Sequence, residues 1–330
     1  YFEGTVQDAL GIANVSMEAT SRGEKSTEQI EISIRSPLVE QVREDELVVP
    51  AGANRSISAT PFGVTTSNDL VVEVSSVPSI NLGDRLHYLI QYPHGCLEQT
   101  TSKGFVQLHL EDWVEMTANQ KGMAQEYVRS AIYRLRGLQM PDGGFRYWPS
   151  STMASGWGTT YAGHFMIAAE EKGVALPAGM KSAYLRFEKR MAQSWNETNP
   201  YQYNNDLNQA YRLYVLALAG EPEIGAMNRL RNRNTLSNAA ARRLALAFSL
   251  IDEGRIANEL MNYEAVNPVT REYYYYSFGS YTRDLAMEVE SYHHIGNQEE
   301  TMRLALELAE SLSEESYRST QDIAFSLYVL

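Results

Sequence analysis

The spacing of hydrophobic residues divides the chain into two parts. Up to about residue 78, short runs such as Ile30–Ile34 alternate apolar and polar positions, which is typical of a half-buried β-strand. Further strands are predicted at 47–49 and 70–74, with Pro- and Gly-containing turns between them. Short strands at this spacing predict part of an antiparallel β-sandwich, and they are too few to close one.

From about residue 83 onward the periodicity is helical. Helices are predicted at 84–90, 101–113, 123–138, 157–172, 178–195, 205–219, 223–232, 236–252, 254–262, 279–295, 298–312 and 319–330. Many helices joined by short loops predict stacked antiparallel helix pairs, which can form an open superhelix or close into a ring. No strict short repeat of the tetratricopeptide kind is visible, and this weakens the prediction of an open solenoid.

Composition and charge exclude several classes of protein. The 330 residues carry a net charge of −13, so nucleic acid is not an expected partner. No run of 18 or more apolar residues is present, so no membrane span is expected. No cofactor is predicted, and no metal site, because the neighbouring His293 and His294 diverge on a helix. The chain begins inside a predicted β-domain, and we therefore expect a piece of a longer protein.

Cys96 is the single cysteine of the chain, and it lies between Gly95 and a long helical pattern. A lone cysteine is most often an inert core residue. At the start of a helix, however, unpaired backbone N–H groups and the helix dipole favour a thiolate. Gln99 follows three residues later, so its carboxamide can lie over the same helical face as the sulfur.

The residues around Cys96 point to a family. The stretch reads Tyr92-Pro93-His94-Gly95-Cys96-Leu97-Glu98-Gln99. It resembles the Cys-x-Glu-Gln motif of the alpha-2-macroglobulin and complement thioester proteins, and most of all their bacterial branch. Residues 139–145, followed by Tyr147 and Trp148, are similar to the Gln-x-x-Asp-Gly-x-Phe loop of that family. Residues 319–321 are similar to its Ser-Thr-Gln segment, so the resemblance covers nearly the whole chain.

The resemblance implies a mainly α fold with two domains. Residues 79–330 are expected to form an α/α toroid of about six helical hairpins, the thioester domain. Residues 1–78 are expected to form part of an antiparallel β-sandwich, the first part of a split CUB or macroglobulin-like domain. The implied protein is a broad-spectrum bacterial protease inhibitor with a role in defence or colonisation, and not an enzyme. Its expected location is the periplasm, the cell envelope or the extracellular space.

In this family the cysteine sulfur and the glutamine side-chain carbonyl form an internal thioester, which implies a bond between Cys96 and Gln99. The thioester is expected to acylate lysine amines of attacking proteases. Those proteases, and other domains of the same full-length chain, are the expected partners. Glu98 is either an assistant in proton movement or a solvated carboxylate favoured by the helix dipole. Residues expected in the environment of the thioester are Tyr92, His94, Gly95, Tyr147, Trp148, Met153 and Trp157.

The loop at 149–156 bears on the acceptor of the acyl group. Complement proteins that prefer hydroxyl acceptors have a His in the corresponding loop, and this His attacks the thioester first. Here the loop contains no His, so the resemblance implies direct reaction with amines.

Three alternatives stay open at this stage. Cys96 can be the nucleophile of a cysteine hydrolase or a transglutaminase-like enzyme, with His109 or His94 as the base. The helical ring can belong to an α/α-toroid glycosidase that uses Asp142 and Glu170. The chain can also be a pure interaction module, in which replacing Cys96 changes nothing.

Overall fold

A computed structural model describes most of the chain. The described residues are 11–34, 41–43, 45, 47, 49, 52–63, 68–72, 74, 95–113, 115–195, 206–233, 236–265, 277, 279–313 and 318–330. The chain divides into two compact units, residues 1–76 and 77–330. Where it is described, the first unit contains β-strands and the second contains helices.

The first unit contains an antiparallel hairpin of β1 (Gly11–Ser21) and β2 (Glu24–Ile34). Ser21 pairs with Glu24, so the loop has two residues, and their φ angles of 52° and 89° are those of a turn that matches strand twist. The alternation at residues 30–34 therefore predicted a real strand, which is the second half of β2.

The other two predicted strands differ from the structure. Those residues of 47–49 and 70–74 that are described are not in strands. Val71 and Val74 are 87% and 92% exposed, so neither side chain is part of a core. A strand also needs a neighbour that accepts its backbone hydrogen bonds, and periodicity alone does not show whether one is present. Within the described residues, the expected sandwich is represented by one hairpin.

The described part of the second unit contains eleven helices. They are α1 (Leu97–Trp113), α2 (Ala118–Leu138), α3 (Gly156–Glu171), α4 (Met180–Ser194), α5 (Asp206–Leu218), α6 (Ile224–Arg231), α7 (Asn238–Ser249), α8 (Gly254–Met261), α9 (Tyr281–Ile295), α10 (Gln298–Ser313) and α11 (Thr320–Val329). The mainly α prediction is confirmed. The predicted helix at 84–90 lies outside the described residues.

Two helices begin four or five residues earlier than periodicity predicted. The apolar stripe indicated starts at 101 and 123, whereas α1 begins at Leu97 and α2 at Ala118. In α2 the reason is a capping box, because the Thr117 hydroxyl accepts from the Gln120 N–H while the Gln120 side chain accepts from the Thr117 N–H. Caps extend a helix through polar residues that a hydrophobic pattern does not register.

The odd-numbered helices form a closed inner ring. Each packs against the next odd-numbered helix, and α11 packs back against α1. The even-numbered helices lie outside this ring, with α2 against α1, α8 against α7 and α10 against α9. This arrangement is an α/α toroid, so the ring rather than the open superhelix is confirmed. Burial explains the two layers, since α3 is buried on nearly all sides while α10 buries one narrow stripe.

Aromatic side chains fill the middle of the ring. They come from four inner helices and include Phe105, Tyr161, His164, Tyr211, Tyr214, Phe325 and Tyr328. Their rings contact one another with centroids 5.0–6.5 Å apart, distances at which aromatic pairs attract. Among the described helices, none combines the length and the apolarity that a bilayer span requires.

Candidate functional site

Cys96 and Gln99 lie together at the start of α1. The Cys96 side chain is fully buried, and Gln99 is half-buried. The Cys96 N–H donates to Gln99 Oε1 at 3.3 Å, and the Gln99 N–H lies 3.5 Å from Cys96 Sγ. The Cys96 carbonyl already accepts from the Thr100 N–H at 3.0 Å, as in a first helical turn. The three-residue spacing therefore brings the sulfur and the carboxamide to the same side of this turn.

The surroundings of the sulfur act on its pKa in opposite directions. Burial raises the pKa of the Cys96 thiol, whereas hydrogen bonds from the Tyr147 side chain and from the Gln99 N–H lower it. Burial has the larger effect, and the pKa is raised overall. From its position at a helix start, Cys96 was predicted to have a lowered pKa. That prediction considered the helix N–H groups but not the depth of burial.

Glu98 is buried and bonded to hydroxyl groups, in contrast to the solvated carboxylate considered above. Ser102 Oγ donates to its Oε1 at 2.8 Å, and Thr320 Oγ1 lies 2.8 and 2.9 Å from its two oxygens. Ser102 Oγ also lies 3.1 Å from the hydroxyl of Tyr161. Burial raises the pKa of Glu98, and the two hydroxyl hydrogen bonds offset only part of that effect. Glu98 thus joins the first and last inner helices of the ring.

Gly95 is a point of close approach between the site and α2. Arg134 Nη2 donates to the Gly95 carbonyl at 3.0 Å, and a Cβ on residue 95 would lie 2.0 Å from that nitrogen. One helical turn after Gln99, burial lowers the pKa of Lys103, and the charge of Arg134 lowers it further. Two basic side chains therefore lie near the first turn of α1.

The loop at 139–155 is held against the site by main-chain contacts. The Leu97 N–H donates to the Tyr147 carbonyl at 3.0 Å. The Phe145 N–H donates to Thr159 Oγ1 at 2.9 Å, which connects the loop to α3. The side chain of Gln139 donates to the carbonyls of Gly143 and Met180. The stretch that resembles the family loop thus connects α1, α3 and α4.

The residues predicted around the thioester differ in their contacts and in their exposure to solvent. The Tyr147 carbonyl accepts from the N–H of Leu97, the residue after Cys96, and Trp148 contacts the Tyr147 ring with centroids 5.7 Å apart while remaining 44% exposed. Met153 is 71% exposed. Trp157 is buried, and the Arg283 guanidinium lies over its ring at 4.2 Å. Tyr92 and His94 lie outside the described residues.

From the sequence, Ser102 was expected to form local hydrogen bonds, but its partner Glu98 was not predicted, and no role was predicted for Thr320 or Arg134. Ser102 lies four residues after Glu98, and this helical spacing could have paired the two side chains. Thr320 belongs to the recognised Ser-Thr-Gln segment, but no local pattern links positions 98 and 320, which are 222 residues apart. The contact of Arg134 with Gly95 likewise depends on the packing of α2 against α1.

The enzymatic alternatives find little support in this geometry. His109 lies on α1 thirteen residues after Cys96, about 20 Å along a helix axis, so it cannot be a base for the sulfur. His109 instead contacts Asp112 at 3.0 Å. Asp142 accepts a hydrogen bond from the Gly144 N–H of its own loop, and Glu170 pairs with Lys181. The two carboxylates proposed for a glycosidase are therefore engaged in separate contacts.

Comparisons with known proteins agree on one family. No protein-family model matches the chain. Alpha-2-macroglobulin of Escherichia coli strain K12 is 28% identical over 179 residues, which are 51% of this chain and 10% of that protein. Alpha-2-macroglobulin of Xylella fastidiosa strain Temecula1 is 26% identical over 193 residues, 54% of this chain and 12% of that protein. Over about half of its length, this chain is similar to bacterial alpha-2-macroglobulins.

Solved alpha-2-macroglobulins share its fold over nearly the whole length. Salmonella alpha-2-macroglobulin reacted with methylamine gives a TM-score of 0.69 at 21% identity, covering 98% of this chain and 22% of that chain. Escherichia coli alpha-2-macroglobulin activated by porcine elastase gives a TM-score of 0.64 at 20% identity, covering 97% and 30%. This chain spans about a tenth of the length of the curated relatives it matches.

Proposed function

We propose that this chain carries the covalent trap of a protease inhibitor. In this proposal Cys96 and Gln99 join as an internal thioester with loss of ammonia. An amine of an attacking protease, such as a lysine, then attacks the Gln99 carbonyl and displaces the sulfur. The observation that carries the proposal is the pair of contacts between the two residues, with Cys96 N to Gln99 Oε1 at 3.3 Å and Gln99 N to Cys96 Sγ at 3.5 Å. Two groups held this close react as if at very high concentration.

The proposal includes the setting of the trap. Residues 79–330 are the thioester domain and residues 1–78 belong to a neighbouring β-domain. The full-length protein acts in the periplasm, at the cell envelope or outside the cell, where its targets are proteases that attack it. A protease cut elsewhere in that protein exposes the thioester, which reacts once.

The intact mass of the purified chain tests the thioester directly. We expect a mass that is lower than the sequence mass by one ammonia, and a gain of one methylamine after incubation with that amine. Cys96→Ala and Gln99→Glu are expected to abolish both changes. Gln125→Glu, at an exposed position on α2, is the matched control and is expected to behave like the unaltered chain. An unmodified mass together with no uptake of methylamine would refute the proposal.

The acceptor preference is a separate part of the proposal. Because the loop at 149–156 has no His that could take over the acyl group, the thioester is expected to prefer amines to hydroxyls. Competition between labelled methylamine and labelled glycerol measures this preference. Faster incorporation of glycerol would contradict direct aminolysis while leaving the thioester itself in place.

A further inference from the structure

The peptide group between Gly95 and Cys96 is hydrogen-bonded at both of its ends. Its N–H, which belongs to Cys96, donates to Gln99 Oε1 at 3.3 Å. Its carbonyl, which belongs to Gly95, accepts from Arg134 Nη2 at 3.0 Å. Among the described residues no peptide bond is cis, so the two groups point in opposite directions, one toward Gln99 and the other toward α2. One planar unit therefore connects Arg134 to the carboxamide of Gln99.

Close packing holds Arg134 over this peptide group. A Cβ on residue 95 would overlap the Arg134 guanidinium, so the guanidinium lies in the space that Gly95 leaves open. On the other side of Cys96, the Leu97 N–H donates to the Tyr147 carbonyl at 3.0 Å. The direction of the Cys96 N–H is thus set by contacts with α2 and with the loop at 139–155.

The oxygen that accepts from the Cys96 N–H is the one that gains negative charge in the proposed reactions. In thioester formation the Cys96 sulfur attacks the side-chain carbonyl carbon of Gln99, the C–N bond breaks, and the thiol proton leaves with the nitrogen as ammonia. In aminolysis the amine nitrogen attacks the same carbon. The C–S bond then breaks with its electron pair on sulfur, and the amine proton passes to solvent. Both attacks place charge on Oε1 in a tetrahedral intermediate, and a donor directed at that oxygen lowers both barriers.

Hydrogen bonds at the two ends of one peptide group strengthen each other, because electron density drawn toward the carbonyl oxygen makes the N–H a better donor. A guanidinium is permanently charged, and its hydrogen bond is stronger than that of a neutral donor. We infer that Arg134 is a positioning residue, which orients and polarises the Gly95–Cys96 peptide group so that its N–H stabilises charge on Gln99 Oε1. The inference rests on the proposed thioester.

The rate of aminolysis tests this role. One donor to an oxyanion contributes about 10²–10³-fold to a rate, and a linked hydrogen bond strengthens such a donor by about 10–30%. Arg134→Met is therefore expected to lower the second-order rate constant for methylamine by about 2- to 8-fold, with the freed thiol followed by a chromogenic disulfide. Arg129→Met removes the same charge from an exposed position on α2, and this control is expected to react at the original rate.

The stretching frequency of the thioester carbonyl is a readout that a purely structural role of Arg134 does not predict. Difference infrared spectra before and after methylamine, with isotope-labelled glutamine side-chain carbonyls, isolate this band. A weaker hydrogen bond to Oε1 raises the frequency, so Arg134→Met is expected to shift the band upward. Arg134→Lys keeps a charged donor and is expected to shift it less.

A second variant tests the same contact without removing the charge. In Gly95→Ala the added methyl group takes the place of the guanidinium, and we expect the same slower reaction and upward shift. If whichever of Arg134→Met and Gly95→Ala carries the thioester keeps the rate and the band of the unaltered chain, the inference is overturned and the thioester is unaffected. Absence of both ammonia loss and methylamine uptake in the unaltered chain would instead refute the proposed function, and the inference with it.

Discussion

Two glutamates of the helical ring, Glu98, which is buried, and Glu290, whose side chain is 11% exposed, are held in different ways. At the start of α1, the oxygens of Glu98 accept hydrogen bonds from the hydroxyls of Ser102 and Thr320. In the centre of the ring, Glu290 of α9 accepts from Arg243 Nη1 at 2.6 Å and from the Tyr214 hydroxyl at 2.8 Å. Burial raises the pKa of Glu98, whereas at Glu290 the effect of burial is outweighed by the Arg243 charge and the pKa is lowered.

The two environments decide whether each carboxylate can change its protonation state. A carboxylate beside a buried arginine stays charged, and removing one partner leaves the other charge unpaired. A carboxylate surrounded by hydroxyls can take up a proton and remain hydrogen-bonded in either state. The centre of the ring therefore depends on the Arg243–Glu290 ion pair for stability. At the start of α1, next to Cys96, Glu98 is a group whose protonation can change.

The largest expected effect comes from breaking the central pair. Arg243→Met leaves the Glu290 carboxylate in the ring without its cation, and we expect a loss of about 3–5 kcal/mol in the free energy of unfolding. Urea denaturation of the chain measures this loss. Adding Glu290→Gln to Arg243→Met is expected to restore most of it, because the remaining groups are then neutral. If Arg243→Met alone lowers the free energy of unfolding by less than about 1 kcal/mol, the pair does not stabilise the ring.

A pH effect of similar size is expected from His164, whose ring packs against Tyr214 and Tyr328 in the middle of the ring of helices. Burial is the main cause that lowers the pKa of His164 from 6.5 to about 4; the charge of Glu290 partly opposes this shift, and the charges of Arg243 and His109 add to it. The unfolded chain therefore binds a proton below pH 6.5 that the folded chain does not bind until about pH 4. Stability is expected to fall by about 3 kcal/mol as the pH falls through this window.

Comparison with His164→Asn isolates that contribution. Asn keeps a polar group near the Tyr211 hydroxyl, which lies 2.9 Å from His164 Nδ1, and it does not titrate. The difference in unfolding free energy between the chain and the variant is expected to shrink between pH 7 and pH 4. A difference that stays constant over this range would contradict the assigned pKa.

Thr320→Val, which alters the contact with Glu98, is expected to lower the stability of the chain by less than Arg243→Met does. The substitution removes the hydroxyl that lies within 3 Å of both oxygens of Glu98 and keeps the shape of the side chain. An unsatisfied buried acceptor costs about 1–3 kcal/mol, and we expect the lower part of this range because Glu98 can take up a proton. Thermal unfolding of Thr320→Val measures this loss of stability. Thr301→Val, at the start of α10, is the control variant. A loss as large as that of Arg243→Met would remove the contrast between the two regions.

The smallest expected effect has the opposite sign. Because burial raises the pKa of Glu98, its ionised form destabilises the folded chain above its ordinary pKa of 4.5. Glu98→Gln is therefore expected to raise stability at pH 7, and the gain is expected to disappear below pH 4.5. Urea denaturation at both pH values, beside the exposed Glu126→Gln on α2, measures this change. Destabilisation at pH 7 would mean that the charge of Glu98 is stabilised in the folded chain.

The helical part of the fold could be predicted closely from the sequence. The helix ranges followed from the 3.6-residue periodicity, which records the buried face of each helix whatever lies against it. The strands at 47–49 and 70–74 were predicted from short apolar runs, and their described residues are not in strands. A strand depends on a partner segment, and a short run contains no information about that partner.

The sequence by itself determined the chemistry at the start of α1. The order of Cys96, Glu98 and Gln99 is local, and helical geometry places the sulfur and the carboxamide together without help from other elements. The resemblance that these residues carry also led to the family. Neighbours along one helix are fixed by its rise and its turn, so such contacts can be read from spacing.

The tertiary structure alone decided the surroundings of that chemistry. It placed Thr320 on Glu98, the Tyr147 carbonyl on the Leu97 N–H and Arg134 on Gly95. It also buried Cys96 deeply enough to raise its pKa, against the effect of the helix start. These contacts join elements that are 39 to 222 residues apart or lie on different helices. The contact of Thr320 with Glu98 arises only when the ring closes, because closure brings α11 back against α1, whereas Arg134 reaches Gly95 through the packing of α2 against α1.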